Sequence, residues 1–318
     1  MTTAALKYQE VAGRINDVLN EVGKVIIGKR EVVTLAVTSI LCNGHILIED
    51  APGLGKTTLA KALSIAVGCS FKRIQFTPDL LPADVTGTSI FNQKTLDFEF
   101  RKGPIFAQVI LADEINRATP KTQSSLLECM EEHQVTVDGT TYPMASPFFV
   151  IATDNTLGYQ GTYPLPESQL DRFMMRLEMG YPSEQEEAQI VDSQSFEHPA
   201  DNVKRILSPS ELLLLQNAVR QVFLEGSLRD YIVELVTATR NHPMVSLGAS
   251  PRGSLALSKS ARAYAALHGR DFVTPDDIRY LANPVLAHRL VLKPEARVKG
   301  IGTEKIIKEV VSNISVPV

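Results

Sequence analysis

The segment His45–Thr58, HILIEDAPGLGKTT, constrains this chain more than any other. The apolar run HILIE reads as a short strand. Pro52, Gly53 and Gly55 break it, and Lys56–Val67 reads as a helix. Glycines let a turn curl until successive N–H groups converge, and the first turn of a helix leaves its amides unsatisfied. Together these favour a bound polyphosphate. The loop Asp50, Ala51, Pro52, Gly53, Leu54, Gly55, Lys56, Thr57 and Thr58 is therefore the expected phosphate-binding segment. Lys56 would neutralise β- and γ-phosphates, and the Thr57 hydroxyl would hold Mg²⁺. The usual leading glycine of such a loop is here Asp50.

Strands and helices alternate beyond it. Phe71–Phe76, Gln108–Ala112, Phe148–Ala152 and Met174–Glu178 read as further strands, and Lys121–Glu132 as a helix with Leu126, Leu127 and Met130 on one face. This is the pattern of an α/β fold with a mainly parallel, doubly wound sheet. Val135 and Val137 alternate before Asp138-Gly139, so Gln134–Tyr142 is expected to be a hairpin, and Ser89–Phe100 a second one turning around Asn92–Thr95. Apolar spacing from Leu6 to Val22 predicts an N-terminal helix, and a second ends near Cys42. The character shifts near residues 182–205. Helices are predicted over Leu212–Val222, Ser250–Leu267 and Thr303–Ser312. Capping sequences at Ser208–Glu211, Ser227–Asp230 and Thr274–Asp277 mark helix starts, the last running to His288. The expected division is an α/β core over 1–190 and an all-α unit over 191–318.

Two further groups accompany the loop. Val109–Ala112 is an apolar strand ending in Asp113 and Glu114. Carboxylates at the C-terminal end of a parallel strand face the crevice where ligands bind. Asp113 would bind the Mg²⁺ water shell, and Glu114 would orient and deprotonate an attacking water, a form of help worth about 10²–10⁴-fold. Asn155, past the strand FFVIA, is placed to bond a γ-phosphate or that water.

Composition narrows the class. The 318 residues are 44% hydrophobic and 21% charged, which excludes a disordered, collagen-like or disulfide-scaffold chain. The net charge of −4 argues against a protein that coats nucleic acid, although residues 251–318 carry a local basic excess. Cys42, Cys69 and Cys129 are isolated and read as reduced thiols. No apolar run reaches the ~18 residues of a membrane span, and the first residues lack a signal pattern, so a soluble cytoplasmic protein is expected.

The stretches EDAPGLGKTTLAKAL, GPIFAQVILADEINRATPKTQSSLLECMEE, TYPLPESQLDRF and GASPR resemble the MoxR branch of the AAA+ ATPases over roughly residues 25–290. The resemblance implies an AAA+ P-loop core with β-hairpin insertions, a helical lid, and assembly into hexameric rings. It implies that Arg172 matches an arginine finger reaching into the neighbouring copy, and that Arg252 matches a lid sensor arginine touching the γ-phosphate of its own copy. It also implies that Asn155 is the first sensor, and that Gly28 belongs to the segment lining the adenine pocket. The family's usual Gln-Asn-Pro at that sensor is here Asp154-Asn155-Thr156. The implied activity is ATP hydrolysis driving chaperone-like maturation of client proteins, by complex assembly or metal-cofactor insertion. Partners with a von Willebrand factor A domain are frequent in the family. A nucleotide-dependent scaffold with little hydrolysis, a DNA-acting motor and a metal-chelatase motor are the alternative readings.

Overall fold

A computed structural model describes residues 8–155, 161–193 and 199–317. The strands are β1 (Ile46–Glu49), β2 (Phe71–Gln75), β3 (Gly87–Asn92), β4 (Asp97–Lys102), β5 (Val109–Asp113), β6 (Gln134–Val137), β7 (Thr140–Pro143), β8 (Phe149–Asp154), β9 (Met175–Leu177), β10 (Val245–Leu247) and β11 (Val291–Leu292). In the first two thirds of the chain the helices are α1 (Tyr8–Gly23), α2 (Arg30–Leu41), α3 (Lys56–Ala66), α4 (Pro82–Thr86), α5 (Pro120–Glu132), α6 (Glu167–Leu170) and α7 (Glu184–Ser193). The remainder is built from α8 (Pro209–Arg220), α9 (Gly226–Asn241), α10 (Pro251–Leu267), α11 (Pro275–Leu286), α12 (Pro294–Val298) and α13 (Thr303–Asn313).

Five strands form one sheet in the order β2-β5-β8-β1-β9, every neighbouring pair parallel. Alternate residues of each strand feed opposite faces, as the pleat requires. Ile46, Ile48, Val109, Leu111, Phe149 and Ile151 join one apolar cluster. Leu47, Ile110, Ala112, Val150 and Ala152 join the other. Both faces are covered, which is why these strands read as continuous apolar runs rather than alternating ones. The first cluster continues through α1 and α2 into the helical remainder, taking in Leu215, Leu257 and Leu281. The N-terminal helices thus share a core with the C-terminal ones, while α3 covers the sheet on the same side.

Two small antiparallel ribbons stand apart from the sheet: β3–β4 and β6–β7. The second lies where Asp138-Gly139 predicts it, with Asp138 at φ 50° and Gly139 at φ 79°. The first is longer than expected and turns over 93–96, with Leu96 at φ 55°. Its Phe91 and Phe98 pack edge to face, centroids 5.4 Å apart, and both remain largely exposed.

Helix starts follow the chemistry of their caps. Ser208 Oγ accepts from the Glu211 amide at 3.2 Å, and Glu211 reaches back to the Ser208 amide at 2.7 Å. Asp277 accepts from the Thr274 amide at 2.8 Å and also holds Arg270. The expected cap at Ser227–Asp230 is displaced: Glu225 is the residue before α9, so Ser227 lies inside its first turn. The expected spacing from Leu6 begins outside the described residues. Cys69 and Cys129 are buried free thiols and Cys42 is a half-buried one. No helix among the described residues is long and apolar enough to cross a membrane.

Candidate active site

Strand order sets the site. The loop 50–55 leaves the end of β1, Asp113 and Glu114 end β5, and β8 lies between the two. The end of β8, Thr153–Asn155, is therefore wedged between the loop and the carboxylates. Lys56, Thr57, Arg73, Asp113, Glu114 and Asn155 share the lining of one crevice of about 430 Å³.

Gly53 and Gly55 both sit at φ +84°, where an L side chain is strained, although added Cβ atoms there would meet open space. The glycines are needed for the curl of the backbone rather than for room. Gly55 precedes α3 in the left-handed conformation and no side chain caps that helix. An uncapped helix start of this kind favours an anion. Lys56 is 8% exposed, and its Nζ donates to the carbonyls of Asp50 (2.6 Å) and Asp154 (3.4 Å). Burial lowers its pKa, while Asp50, Asp113, Asp154 and Glu114 oppose that shift. Asp50 uses its carboxylate to brace the loop. Oδ1 accepts from the Ala51 amide at 2.8 Å and Oδ2 from the Gly180 amide at 2.6 Å. The acid at the loop entrance is thus tied to the segment following β9.

Asp113 is 8% exposed. The Thr153 hydroxyl donates to its Oδ1 at 2.6 Å, and Arg73 donates to its Oδ2 through Nε at 2.9 Å and Nη2 at 2.7 Å. The same Thr153 Oγ1 accepts from the Glu114 amide at 2.8 Å. Glu114 stands at φ 55°, an uncommon conformation for a non-glycine residue, and its carboxylate rests 3.2 Å from Arg117 Nε. The Asn155 carbonyl accepts from Asn116 Nδ2 at 3.3 Å. Asp154 faces Glu49, its register partner on β1. Burial first, then that neighbouring carboxylate, pushes its pKa up to about 6.

Beside the loop, Ile26, Ile27, Met179, Pro182 and Ile190 line a largely apolar cavity of about 130 Å³ that reaches Gly53–Gly55 and Thr58. Gly28 lies just behind this wall at φ +73°, and a Cβ there would collide with the Glu186 carboxylate. Its neighbours Ile27 and Lys29 form the lining in its place.

The two arginines fall elsewhere. Arg172 donates to the Leu127 carbonyl and pairs with Glu131 at 3.3 Å, and Arg252 pairs with the same Glu131. Both line a cavity of about 200 Å³ with Asn43, Gly44 and His45. Those three residues precede β1, whereas the phosphate loop follows it, so the arginines occupy the opposite end of the sheet. Four strand residues separate the ends by about 13 Å. Arg252, expected at the γ-phosphate of its own copy, does not line that copy's crevice. Its helix, α10, packs on α1, α2 and α11, and its first turns line the cavity with Gly44 and His45. Arg289, buried nearby, is committed to Asp171 at 3.0 Å, and Arg270 to Asp277 at 2.6 Å. Asp171 lies outside residues 251–318 and offsets one charge of the local basic excess, whereas Asp277 lies inside that segment and leaves its balance unchanged.

Thr153, Arg73 and Glu131 were not singled out from the sequence. Signals existed for two of them: a hydroxyl in the strand FFVIATD beside the expected site, and a cation near the carboxyl end of the strand FKRIQ.

The donor set suits a magnesium–nucleotide. Among the described residues no group of three or more His, Cys, Asp or Glu could hold a metal by itself. A hydroxyl and one carboxylate beside a phosphate cradle match the way Mg²⁺ is shared with substrate phosphates.

Comparison with known proteins agrees. Residues 45–175 match the ATPase family associated with various cellular activities, and residues 237–310 match the AAA lid domain. The chain is 52% identical to the uncharacterized protein YeaC of Bacillus subtilis over 98% of both chains. It is 42% identical to the chaperone MoxR1 of Mycobacterium tuberculosis, over 93% of this chain and 81% of that one. A crystal structure of a candidate ATPase from Cytophaga hutchinsonii superposes with a TM-score of 0.90 at 41% identity, covering 98% of this chain and 97% of the other. With its loop, carboxylates and helical lid in this arrangement, the chain belongs to the MoxR family of AAA+ ATPases.

Proposed function

We propose that this protein hydrolyses ATP with Mg²⁺ inside a ring of its own copies, and uses the cycle to remodel or mature client proteins. The observation that carries the reading is the split between the two ends of the sheet. One end gathers Lys56, Thr57, Asp113, Glu114 and Asn155 around a crevice, and the other presents Arg172 and Arg252. A ring brings the second end of one copy against the first end of the next, so both arginines would serve the neighbour's nucleotide.

The residues divide the work. Asp50 braces a loop whose amides, from Ala51 to Thr58, receive the phosphates with Lys56. The apolar cavity beside Ile27 and Gly28 receives the base. Bound Mg²⁺ would neutralise charge between the β- and γ-phosphates, held by Thr57 and Asp113. Glu114 takes the proton of the attacking water, and Asn155 orients that water or the γ-phosphate. Loss of the γ-phosphate removes what Asn155 and the neighbour's arginines grip. The lid, residues 191–318, then shifts against the core, residues 1–190, because those contacts exist in one state alone.

Client handling falls to the two ribbons, of which β3–β4 carries exposed Phe91, Leu96 and Phe98. Complex assembly or metal-cofactor insertion is the expected work, with a partner bearing a von Willebrand factor A domain as the family resemblance suggests. Glu114→Gln is the test: it should keep binding a fluorescent ATP analogue while turnover falls about 10²–10⁴-fold in a phosphate-release assay. Turnover at the parent rate would remove Glu114 from its role and leave a nucleotide-binding scaffold as the better reading.

A further inference from the structure

Asp113 is held from two sides, and the two holds differ in kind. Thr153 is 1% exposed and fixes Oδ1 from inside the sheet. Arg73 reaches Oδ2 from the crevice side with about half of its side chain exposed. Gln75, the register partner of Asp113, takes another Arg73 donation through Oε1 at 2.6 Å. Residues 73 and 75 lie on one face of β2, so the guanidinium spans from its own strand to the carboxylate at the end of β5. A half-exposed guanidinium can swing into water at little cost to itself, but the buried Asp113 carboxylate it leaves then needs another cation in its place.

The position is chemically awkward for a metal-facing carboxylate. A divalent cation and a guanidinium compete for the same oxygen, and they repel one another across a low-dielectric crevice. The arrangement also has a use. Lys56 feels the Asp113 charge, yet it donates to the carbonyls of Asp50 and Asp154. With Asp113 neutralised by Arg73, the ammonium stays free of that carboxylate and remains available to phosphates. We propose that Arg73 is a positioning residue, a place-holding counter-ion. It occupies Asp113 Oδ2 until a divalent cation arrives, yields that oxygen on loading, and so sets the Mg²⁺ concentration at which nucleotide is held. The role rests on the reading of the crevice as a Mg·ATP site.

Binding of a fluorescent, non-hydrolysable ATP analogue to the full chain, titrated with MgCl₂, measures it without turnover. Arg73→Met keeps the length and removes the charge. Its half-saturating Mg²⁺ should fall about tenfold, while affinity in EDTA stays within about twofold of the parent. Arg73→Gln should fall in the same direction, and Arg73→Lys should stay near the parent midpoint. An unchanged or raised Mg²⁺ midpoint in both neutral variants would overturn the proposal. So would a loss of affinity in EDTA, which would make Arg73 a phosphate contact instead. Failure of the parent chain to bind the analogue at any Mg²⁺ concentration would refute the nucleotide site itself, and the counter-ion role with it.

Discussion

The carboxyl and amino ends of the sheet present two opposite ways of holding charge. At the carboxyl end, Asp113, Glu114 and Lys56 are each fixed by hydrogen bonds to an adjoining strand or loop. Thr153 on β8 holds Asp113 and Glu114 of β5, and the carbonyls of Asp50 and Asp154 hold Lys56. At the amino end, Arg172 and Arg252 converge on the single acid Glu131, near the end of α5. The first end is built from interior residues whose positions follow from strand register. The second is built from half-exposed side chains on separate elements, where an ion pair with water access contributes about 0–1 kcal/mol. So the crevice is preorganised within one copy, and in the proposed ring the arginines would have to exchange Glu131 for another copy's nucleotide.

The largest expected effect tests whether the two ends belong to different active sites. Arg172→Ala should reduce turnover about 10³–10⁵-fold while leaving nucleotide affinity near the parent value. Lys56→Ala should lose nucleotide binding. Mixing the two inactive proteins should restore part of the activity, because an Arg172 from one copy would meet an intact crevice on the other. Phosphate release measured across mixing ratios checks this. A mixture as inactive as its components, under conditions where the copies assemble, would break the division between the ends.

A smaller effect sharpens the account of the crevice. Thr153→Val keeps the shape and β-propensity of the residue but removes the hydroxyl shared by Asp113 and Glu114. Leaving that buried pairing unmade should cost about 1–3 kcal/mol of stability. Turnover should fall about tenfold more than nucleotide affinity does, since Glu114 loses its anchor while Lys56 keeps its own. Thr153→Ser should restore both. Thermal unfolding together with steady-state kinetics on the two variants separates a packing defect from loss of the shared hydroxyl.

How far this was legible in the sequence follows from what kind of signal each part leaves. The sheet was visible because its strands are buried on both faces and read as short apolar runs, and the loop because glycine, lysine and threonine recur at a spacing that phosphate chemistry demands. Asp113 and Glu114 were visible because two carboxylates ending an apolar strand are conspicuous. Thr153 was hidden: a threonine in FFVIATD is an ordinary strand residue until strand order sets it beside β5. Arg73 was hidden for the same reason, since only the β2–β5 pairing brings it to Asp113. The placement of Arg252 depends on how α10 packs near the amino end of the sheet, and no local pattern in GASPR encodes that.

Asp154 supplies the smallest effect and the one that depends on pH. Its carboxyl is pushed from an ordinary 3.8 up to about 6 by burial and by Glu49. Between those values the folded chain keeps a proton that the unfolded chain has released. Stability therefore falls as pH rises through that window and stays lower above it. With part of the group still reached by water, the loss at neutral pH should be about 1–2 kcal/mol. Asp154→Asn should recover it: the variant should melt higher than the parent at pH 7.5, and the gap should narrow steadily toward pH 4. The backbone carbonyl that accepts from Lys56 is untouched by the change, so nucleotide affinity should move far less than stability. A gap in melting temperature that stays constant between pH 4 and 8 would mean that Asp154 ionises as readily in the folded chain as in the unfolded one, and that the strand end tolerates two neighbouring charges without penalty.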